Sequence, residues 1–271
     1  MLKINPESVS KILERFLKQE MAKIGINSAV LGLSGGVDSA VVAALLSRAI
    51  GPENVHAILM PFRESNPDSQ LHAELVAGQL SIHRHMRDIS PMVDAFFKDD
   101  PNADVVRKGN KMARERMCVL YDYSARFSAL VIGTSNKTEL LLGYGTVFGD
   151  MASAINPIGD LYKTHIWQLA EYLNIPEEIV KKAPSADLWV GQTDEEELGY
   201  TYQEIDQLLY YLVDLRYPDE ILQELGYKLQ TIRDIKDRIQ KNQFKRRPPV
   251  IAKLTNRTIN QDFRYCRDWG V

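Results

Sequence analysis

Apolar positions along the chain follow two rhythms. Val9, Ile12, Leu13, Phe16 and Leu17 recur at helical spacing behind Asn5-Pro6-Glu7, which offers an N-cap, a proline at the first helical position and a first-turn acid. That predicts a helix ending near Gly25. An apolar run from Ala29 to Leu33 predicts a buried strand, and Val37 to Ile50, with no Gly or Pro, a helix. Val55 to Met60 follows as a second strand, Pro67-Asp68 to Leu80 as a helix and Met86 to Ile89 as a poor strand candidate. Asn102 to Phe127 is one long helical pattern, Ala129 to Ile132 a short strand, and Lys163 to Leu173 another helix. From Thr201 the rhythm is helical throughout, roughly Tyr202 to Leu215, Pro218 to Leu225 and Tyr227 to Lys241. Strands alternating with helices make βαβ units. The expected class is therefore α/β, a doubly wound, mostly parallel sheet flanked by helices, with a helical C-terminal part. Nothing divides the chain, so one domain is expected, its core at 28–175 and its helical part at 176–271.

With 271 residues such a chain can bury a sizeable core. The formal charge of -3 argues against general nucleic-acid binding. Cys118 and Cys266 form no framework or metal cluster, which suits a reducing, cytoplasmic setting; Cys118, amid apolar neighbours, is expected in the core. The first residues lead into an amphipathic stretch rather than a signal peptide, and no apolar run approaches the ~18 residues of a membrane span. His83 and His85 lack a partner at metal-ligand spacing and read as ordinary polar residues.

The candidate chemistry begins between the first strand and the second helix, at Gly32-Leu33-Ser34-Gly35-Gly36-Val37-Asp38-Ser39. Two glycines leave backbone N–H groups unobstructed at a helix N-terminus, the standard setting for an anion and most often a phosphate. The loop lacks the lysine of the G-x-x-x-x-G-K-[ST] motif. It carries Asp38 instead, a carboxylate that a bound polyphosphate would repel unless a cation such as Mg²⁺ lay between them. A tight turn capped by Asp38 or Ser39 would explain the same residues more plainly.

Loops that follow parallel strands gather at one sheet edge, so Gly133-Thr134-Ser135-Asn136-Lys137-Thr138-Glu139 is delivered beside the Ser34 loop. Glu139 there can supply a second carboxylate, although a polar loop opening a helix is the simpler account. The segment 143–162 has little periodicity, and long irregular loops in compact domains are usually functional. Lys163 opens a helix, an unfavourable place for a cation unless something negative compensates it; a mobile surface lysine explains it equally well. Arg114 and Arg116 stand about 200° apart on a helix and cannot serve one site equally; a solvated charged face accounts for both. The acid run Asp194 to Glu197 suits a solvated loop.

Taken in order, S-G-G-V-D-S, N-K-M-A-R-E-R-M, G-T-S-N-K-T-E, G-Y-G-T-V-F-G-D, P-I-G-D-L-Y-K-T, P-S-A-D-L-W and G-Q-T-D-E-x-E-L-G resemble the ammonia-dependent NAD synthetases. The glycine loop itself resembles the pyrophosphate-binding loop of the ATP-pyrophosphatase superfamily. The resemblance implies an adenine nucleotide alpha hydrolase-like fold and a ligase that amidates deamido-NAD with ammonia through an NAD-adenylate, releasing AMP and pyrophosphate. It further implies ATP contacts from Gly32 to Ser39 and from Thr134, Lys163 and Ser185, with Asp38 and Glu139 as Mg²⁺ ligands. Arg114 and Lys245 match deamido-NAD contacts, and Asp187 matches an acid near the ammonia pocket. Val147, Ala154 and Phe244 stand at dinucleotide positions where many bacterial members carry Lys, Asp and His. G-D-M-A-S is closer to glutamine-dependent relatives, whose amidohydrolase domain has no room before residue 30, so free ammonia or a separate glutaminase is the implied nitrogen source. The family is homodimeric. Another adenylating enzyme of the superfamily, acting in amidotransfer or tRNA modification, is the alternative, and a non-catalytic ATP sensor a third.

Overall fold

The computed structural model describes residues 2–185 and 193–259. In chain order these form α1 (Pro6–Ile24), β1 (Ser28–Gly32), α2 (Val37–Ile50), β2 (Val55–Leu59), α3 (Pro67–Leu80), β3 (His83–Met86), α4 (Ser90–Phe97) and α5 (Val105–Phe127). There follow β4 (Ala129–Val131), α6 (Lys137–Leu142), α7 (Lys163–Tyr172), α8 (Glu177–Val180), α9 (Asp194–Leu198), α10 (Tyr202–Leu209), α11 (Asp219–Glu224) and α12 (Leu229–Lys241). Among the described residues the strands make one parallel sheet in the order β3-β2-β1-β4.

Side chains of a strand alternate between faces, and the burial pattern follows that rule. Ala29, Leu31, Ala57 and Leu59 pack with α1, α2, α3 and α7; Val30 and Ile58 pack with α4 and α5. Covering both faces is what a parallel sheet requires. Helix α2 is buried from Val37 through Leu46 apart from the half-exposed Asp38, which makes it the axis of the larger core. A separate cluster joins Tyr202, Ile205, Leu208 and Leu209 of α10 to Leu222, Ile232 and Ile235, and reaches Leu142 and Tyr162 at the rim of the α/β core. The helical C-terminal part is thereby docked against α6 and α7.

Several elements differ from expectation. The third strand is His83–Met86, three residues earlier than its apolar character suggested, because edge pairing with His56–Leu59 outweighs side-chain type. That register brings His56, His83 and His85 together, with His56 Nδ1 3.3 Å from His85 Nε2 and the His56 ring stacked 4.1 Å from Phe127. Helix α4 had no counterpart in the reading of the sequence. The expected helix after Thr201 stops at Leu209 and continues as a π-turn, Tyr210–Asp214. Cys118 is exposed, contrary to its expected place in the core: Val119 is buried on α5, and one residue of helical rotation turns Cys118 outward. Cys266 lies outside the described residues. No described helix is long and apolar enough to cross a membrane.

Candidate active site

From β1 the chain proceeds outward to β2 and β3, then returns to place β4 on the other side of β1. The reversal opens a crevice between the loops that follow β1 and β4, where open α/β sheets bind ligands. A cleft of about 890 Å³ lies there.

The first loop is built by its glycines and serines. Gly35 has φ +79°, and a Cβ on it would lie 2.0 Å from the Ser69 carbonyl oxygen at the start of α3. Only glycine fits so close an approach. Ser34 N–H donates to Ser39 Oγ at 3.2 Å, Gly36 N–H donates to Ser34 Oγ at 3.3 Å, and the Ser39 hydroxyl donates to the Gly36 carbonyl at 3.0 Å. Gly36, the N-cap of α2, brings no side-chain acceptor to the first amides of that helix. They remain a positive pole at the crevice.

The second loop ends in a capping box: Glu139 N–H donates to Asn136 Oδ1 at 3.0 Å and Asn136 N–H to Glu139 Oε2 at 3.2 Å. Asn136 also reaches across the crevice, its Nδ2 donating to Asp38 Oδ1 at 3.0 Å. From the start of α7, Lys163 Nζ pairs with Asp38 Oδ2 and stands 4.0 Å from Glu139 Oε1. The lysine side chain is only 3 % exposed, so the mobile surface lysine is ruled out. Asp38, Glu139 and Lys163 come from positions 125 residues apart at the extremes and meet at one point.

A third carboxylate completes this corner. Asp194, expected on a solvated loop, is buried and lines the cleft; Tyr144 Oη and Tyr202 Oη each donate to it at 3.0 Å. Burial, more than any neighbour, pushes both phenols far up, so they stay protonated donors. Burial also raises Asp194. Burial first, and then the Asp38 charge, hold Glu139 well above the usual carboxylate range. For Lys163 burial opposes the ammonium form, but Asp38 and Glu139 more than offset it and its affinity for the proton rises. Among the described residues Lys163 thus pairs with Asp38 and Glu139, and Asp194 adds negative charge to the same corner of the cleft. Among the described residues no group of three or more His, Cys, Asp or Glu converges on a metal position. Two hard-oxygen ligands from Asp38 and Glu139 suit Mg²⁺, which takes most of its shell from water and phosphate.

Thr134 and Ser185 line the cleft with Gly32, Leu33, Ser34, Gly36, Val37 and Ser39. So does Lys245, whose Nζ donates to the Gly143 and Gly145 carbonyls at 2.7 and 2.9 Å. Burial lowers its affinity for the proton, and Arg238 adds to this against an opposing pull from Asp150. Arg114, Val147, Ala154 and Phe244 do not line the cleft. Arg114 is exposed and its Nε donates to the Val147 carbonyl at 3.3 Å. Two residues further along α5, Arg116 turns into the cleft, its Nε donating to the Met60 carbonyl at 3.1 Å. The helical offset between the two arginines was legible; which of them faced inward required knowing the side on which α5 meets the sheet. Asp187 lies outside the described residues.

The model of the family described as NAD synthase matches residues 9–249. The NH(3)-dependent NAD(+) synthetase of Trichlorobacter lovleyi is 58% identical over 269 residues, 99% of this chain and 98% of the relative. That of Chlorobium phaeovibrioides is 54% identical over 99% of this chain and 97% of its own length. Among solved structures, the NH3-dependent NAD synthetase of Campylobacter jejuni, in complex with the nitrate ion, is 39% identical with a TM-score of 0.78; the match covers 93% of this chain and 100% of that one. An NMN synthetase from Francisella tularensis is 33% identical with a TM-score of 0.81 over 93% of this chain and 100% of that one.

Proposed function

The chain belongs to the NAD synthase family, and from that premise we propose that it forms NAD by amidating deamido-NAD with ammonia at the expense of ATP. A nicotinate carboxylate oxygen attacks the α-phosphorus of ATP and pyrophosphate leaves, giving an acyl-adenylate. Ammonia then attacks the acyl carbon, AMP leaves with the former carboxylate oxygen, and the nitrogen loses a proton. No side-chain nucleophile is required; such chemistry is governed by orientation and charge stabilisation. The observation that carries the reading is the convergence of Asp38, Glu139 and Lys163 beside the amides of the 32–39 loop.

In this reading those amides hold the polyphosphate, and Thr134 and Ser185 line the nucleotide. Lys163, held charged by its acids, exchanges a carboxylate for phosphate oxygen when ATP arrives. Asp38 and Glu139 hold Mg²⁺, which when bound neutralises charge on the phosphates. Lys245 and Arg116 receive the dinucleotide deeper in the cleft. Asp187 is assigned to the ammonia pocket. Arg114, Val147, Ala154 and Phe244 lie off this wall; Tyr121, two turns beyond Arg114 on α5, and Phe148, next to Val147 in the chain, are exposed at 41% and 62%. That face is assigned to a homodimer through which these residues reach the dinucleotide, a state that light scattering on the purified protein reads directly. We further take 1–271 as one domain and the cytoplasm as its location, with free ammonia or ammonia from a separate glutaminase as the nitrogen source.

A product assay tests the reading: ATP, Mg²⁺, deamido-NAD and ammonium yield AMP, pyrophosphate and NAD, with glutamine far poorer than ammonium. ADP in place of AMP refutes the bond cleavage, and full turnover by Asp38→Ala refutes the metal assignment. The likeness to the NMN synthetase structure supports a second reading, with nicotinate mononucleotide as the amidated substrate. Competition between mononucleotide and deamido-NAD, read as kcat/KM, decides between them.

A further inference from the structure

Glu139 and Lys163 lie in the first turns of α6 and α7, and something must hold those two helix starts in register. Thr138 and Thr164, their neighbours in sequence, are buried. Both are bound to Asp206 of α10, which is itself fully buried. The Thr138 hydroxyl donates to Asp206 Oδ1, and Thr164 N–H donates to Oδ2 at 2.8 Å. The same Thr138 oxygen accepts the Lys163 N–H at 3.1 Å. At the start of α7 Thr138 therefore takes the Lys163 N–H and Asp206 the Thr164 N–H, with Asp206 as a countercharge at that terminus. One carboxylate therefore ties both helix starts to a third helix.

Eight residues later a second acid grips the same pair. Asp214 accepts from Lys137 Nζ at 2.7 Å and from the Tyr162 hydroxyl. On a regular α-helix, residues eight apart stand ~80° apart in azimuth. Between Asp206 and Asp214 the chain makes the π-turn Tyr210–Asp214. Its wider turn takes up much of that offset and brings both acids toward α6 and α7. Neither acid lines the cleft.

We infer that Asp206 is a positioning residue for the amidation, holding Glu139 and Lys163 at their spacing opposite Asp38, with Asp214 as an outer brace. The inference rests on the function proposed above for the reaction it serves, but not for the geometry it fixes. The competing account is a polar knot that only stabilises the fold. A loss of folded protein lowers the amount of active enzyme and leaves its affinities alone. A displaced Lys163 weakens ATP binding and slows turnover while the dinucleotide site is untouched.

Asp206→Asn keeps the volume but presents an NH2 where an acceptor is needed. Assayed well below its unfolding midpoint, it is expected to lose roughly 10- to 100-fold in kcat, as small misplacements do. By calorimetry with Mg²⁺ present, its ATP affinity is expected to fall about fivefold, with the KM for deamido-NAD unchanged within about twofold. Asp214→Asn should change the same quantities in the same direction and by less. Thr138→Val removes the hydroxyl between Asp206 and Lys163 and should repeat the Asp206→Asn result, while Thr138→Ser restores it; this pair carries the test where Asp206→Asn does not fold. Folded Asp206→Asn or Thr138→Val with parental kcat and ATP affinity overturns the inference, as does a Thr138→Val loss that Thr138→Ser shares. If the parent protein binds ATP but makes no NAD, the proposed function falls, and the ATP affinities of the same variants still decide on the brace.

Discussion

The two ends of helix α6 are held by opposite chemistry. Six residues cannot sustain a helix in water, so both ends need outside support. At the N-terminus the support is carboxylate: the Glu139 capping box, Asp206 on Thr138, and Asp38 bridged through Asn136. At the C-terminus it is mostly cation on carbonyl oxygen. Arg238 Nε and Asn242 Nδ2 donate to Leu142, Arg246 Nη1 to Leu140 and Leu141, and Lys245 Nζ to Gly143. Each set complements the helix dipole. The difference lies in what a ligand can displace. Gly143 and Gly145 line the cleft, where water can take a lysine's place on their carbonyls, whereas the acids at the other end always need a countercharge, Lys163 in the free protein or the bound cation proposed above. The acid end is therefore a fixed charge site and the basic end a reserve of movable cations.

The sharpest challenge to that contrast is Lys163→Met. It leaves Asp38 and Glu139 without their shared cation, and breaking a buried pair in this way costs about 3–5 kcal/mol. Denaturant unfolding should register that loss, together with loss of turnover. A loss below about 1 kcal/mol would place Lys163 with the movable cations.

Gly143→Ala probes the basic end through its backbone. Gly143 has φ +66°, and an added Cβ would lie 2.2 Å from Asn242 Cβ. The expected destabilisation is about 1–3 kcal/mol, read from the unfolding midpoint, with ATP affinity retained.

Glu139→Gln sharpens the contrast through pH. Burial and Asp38 raise the folded-state pKa of Glu139 above its ordinary 4.5, so the folded chain holds that proton more tightly than the unfolded chain. Its stabilising contribution is present below 4.5 and is lost as pH rises from there toward the raised value. In ligand-free protein the Tm difference, variant minus parent, should grow in favour of Glu139→Gln across that window even though the variant is inactive. Parallel Tm curves would contradict the crowding of carboxylates at this end.

Lys245→Met should have the smallest effect on the fold, within about 1 kcal/mol, because water can take the lysine's place on the Gly143 and Gly145 carbonyls. Its mark should be kinetic, a rise in the KM for deamido-NAD of about tenfold, equivalent to ~1.4 kcal/mol. Equal losses in stability and KM would make Lys245 as fixed as Lys163.

Much of this arrangement was legible along the chain because it is local. The Asn5-Pro6 start of α1, the helix start in the 133–139 loop and the turn at Gly35 each rest on residues within a few positions of one another, and each forms where its pattern stands. Asp38 and Glu139 could be placed together because βαβ topology delivers successive loops to one edge, whereas Lys163 was named by the family resemblance. What remained hidden depended on which side of an element meets its neighbour. Arg116 and Arg114 carry equal signals until α5 is laid on the sheet. Asp194 looked solvated until Tyr144 and Tyr202 closed over it. Cys118 looked buried until α5 had an outer face.

By itself, then, the sequence determined most of the succession of strands and helices and the glycine loop with its carboxylate, because torsional preference and hydrophobic period act over a few bonds; the kind of chemistry came from the family resemblance its motifs carry. Only the tertiary structure decided that one lysine would be shared by two acids, that α6 would be gripped at both ends, and that Arg238, Lys245 and Arg246 would cap carbonyls. Those are matters of charge and desolvation between groups up to 125 residues apart, and their energies exist only after the chain has closed around them.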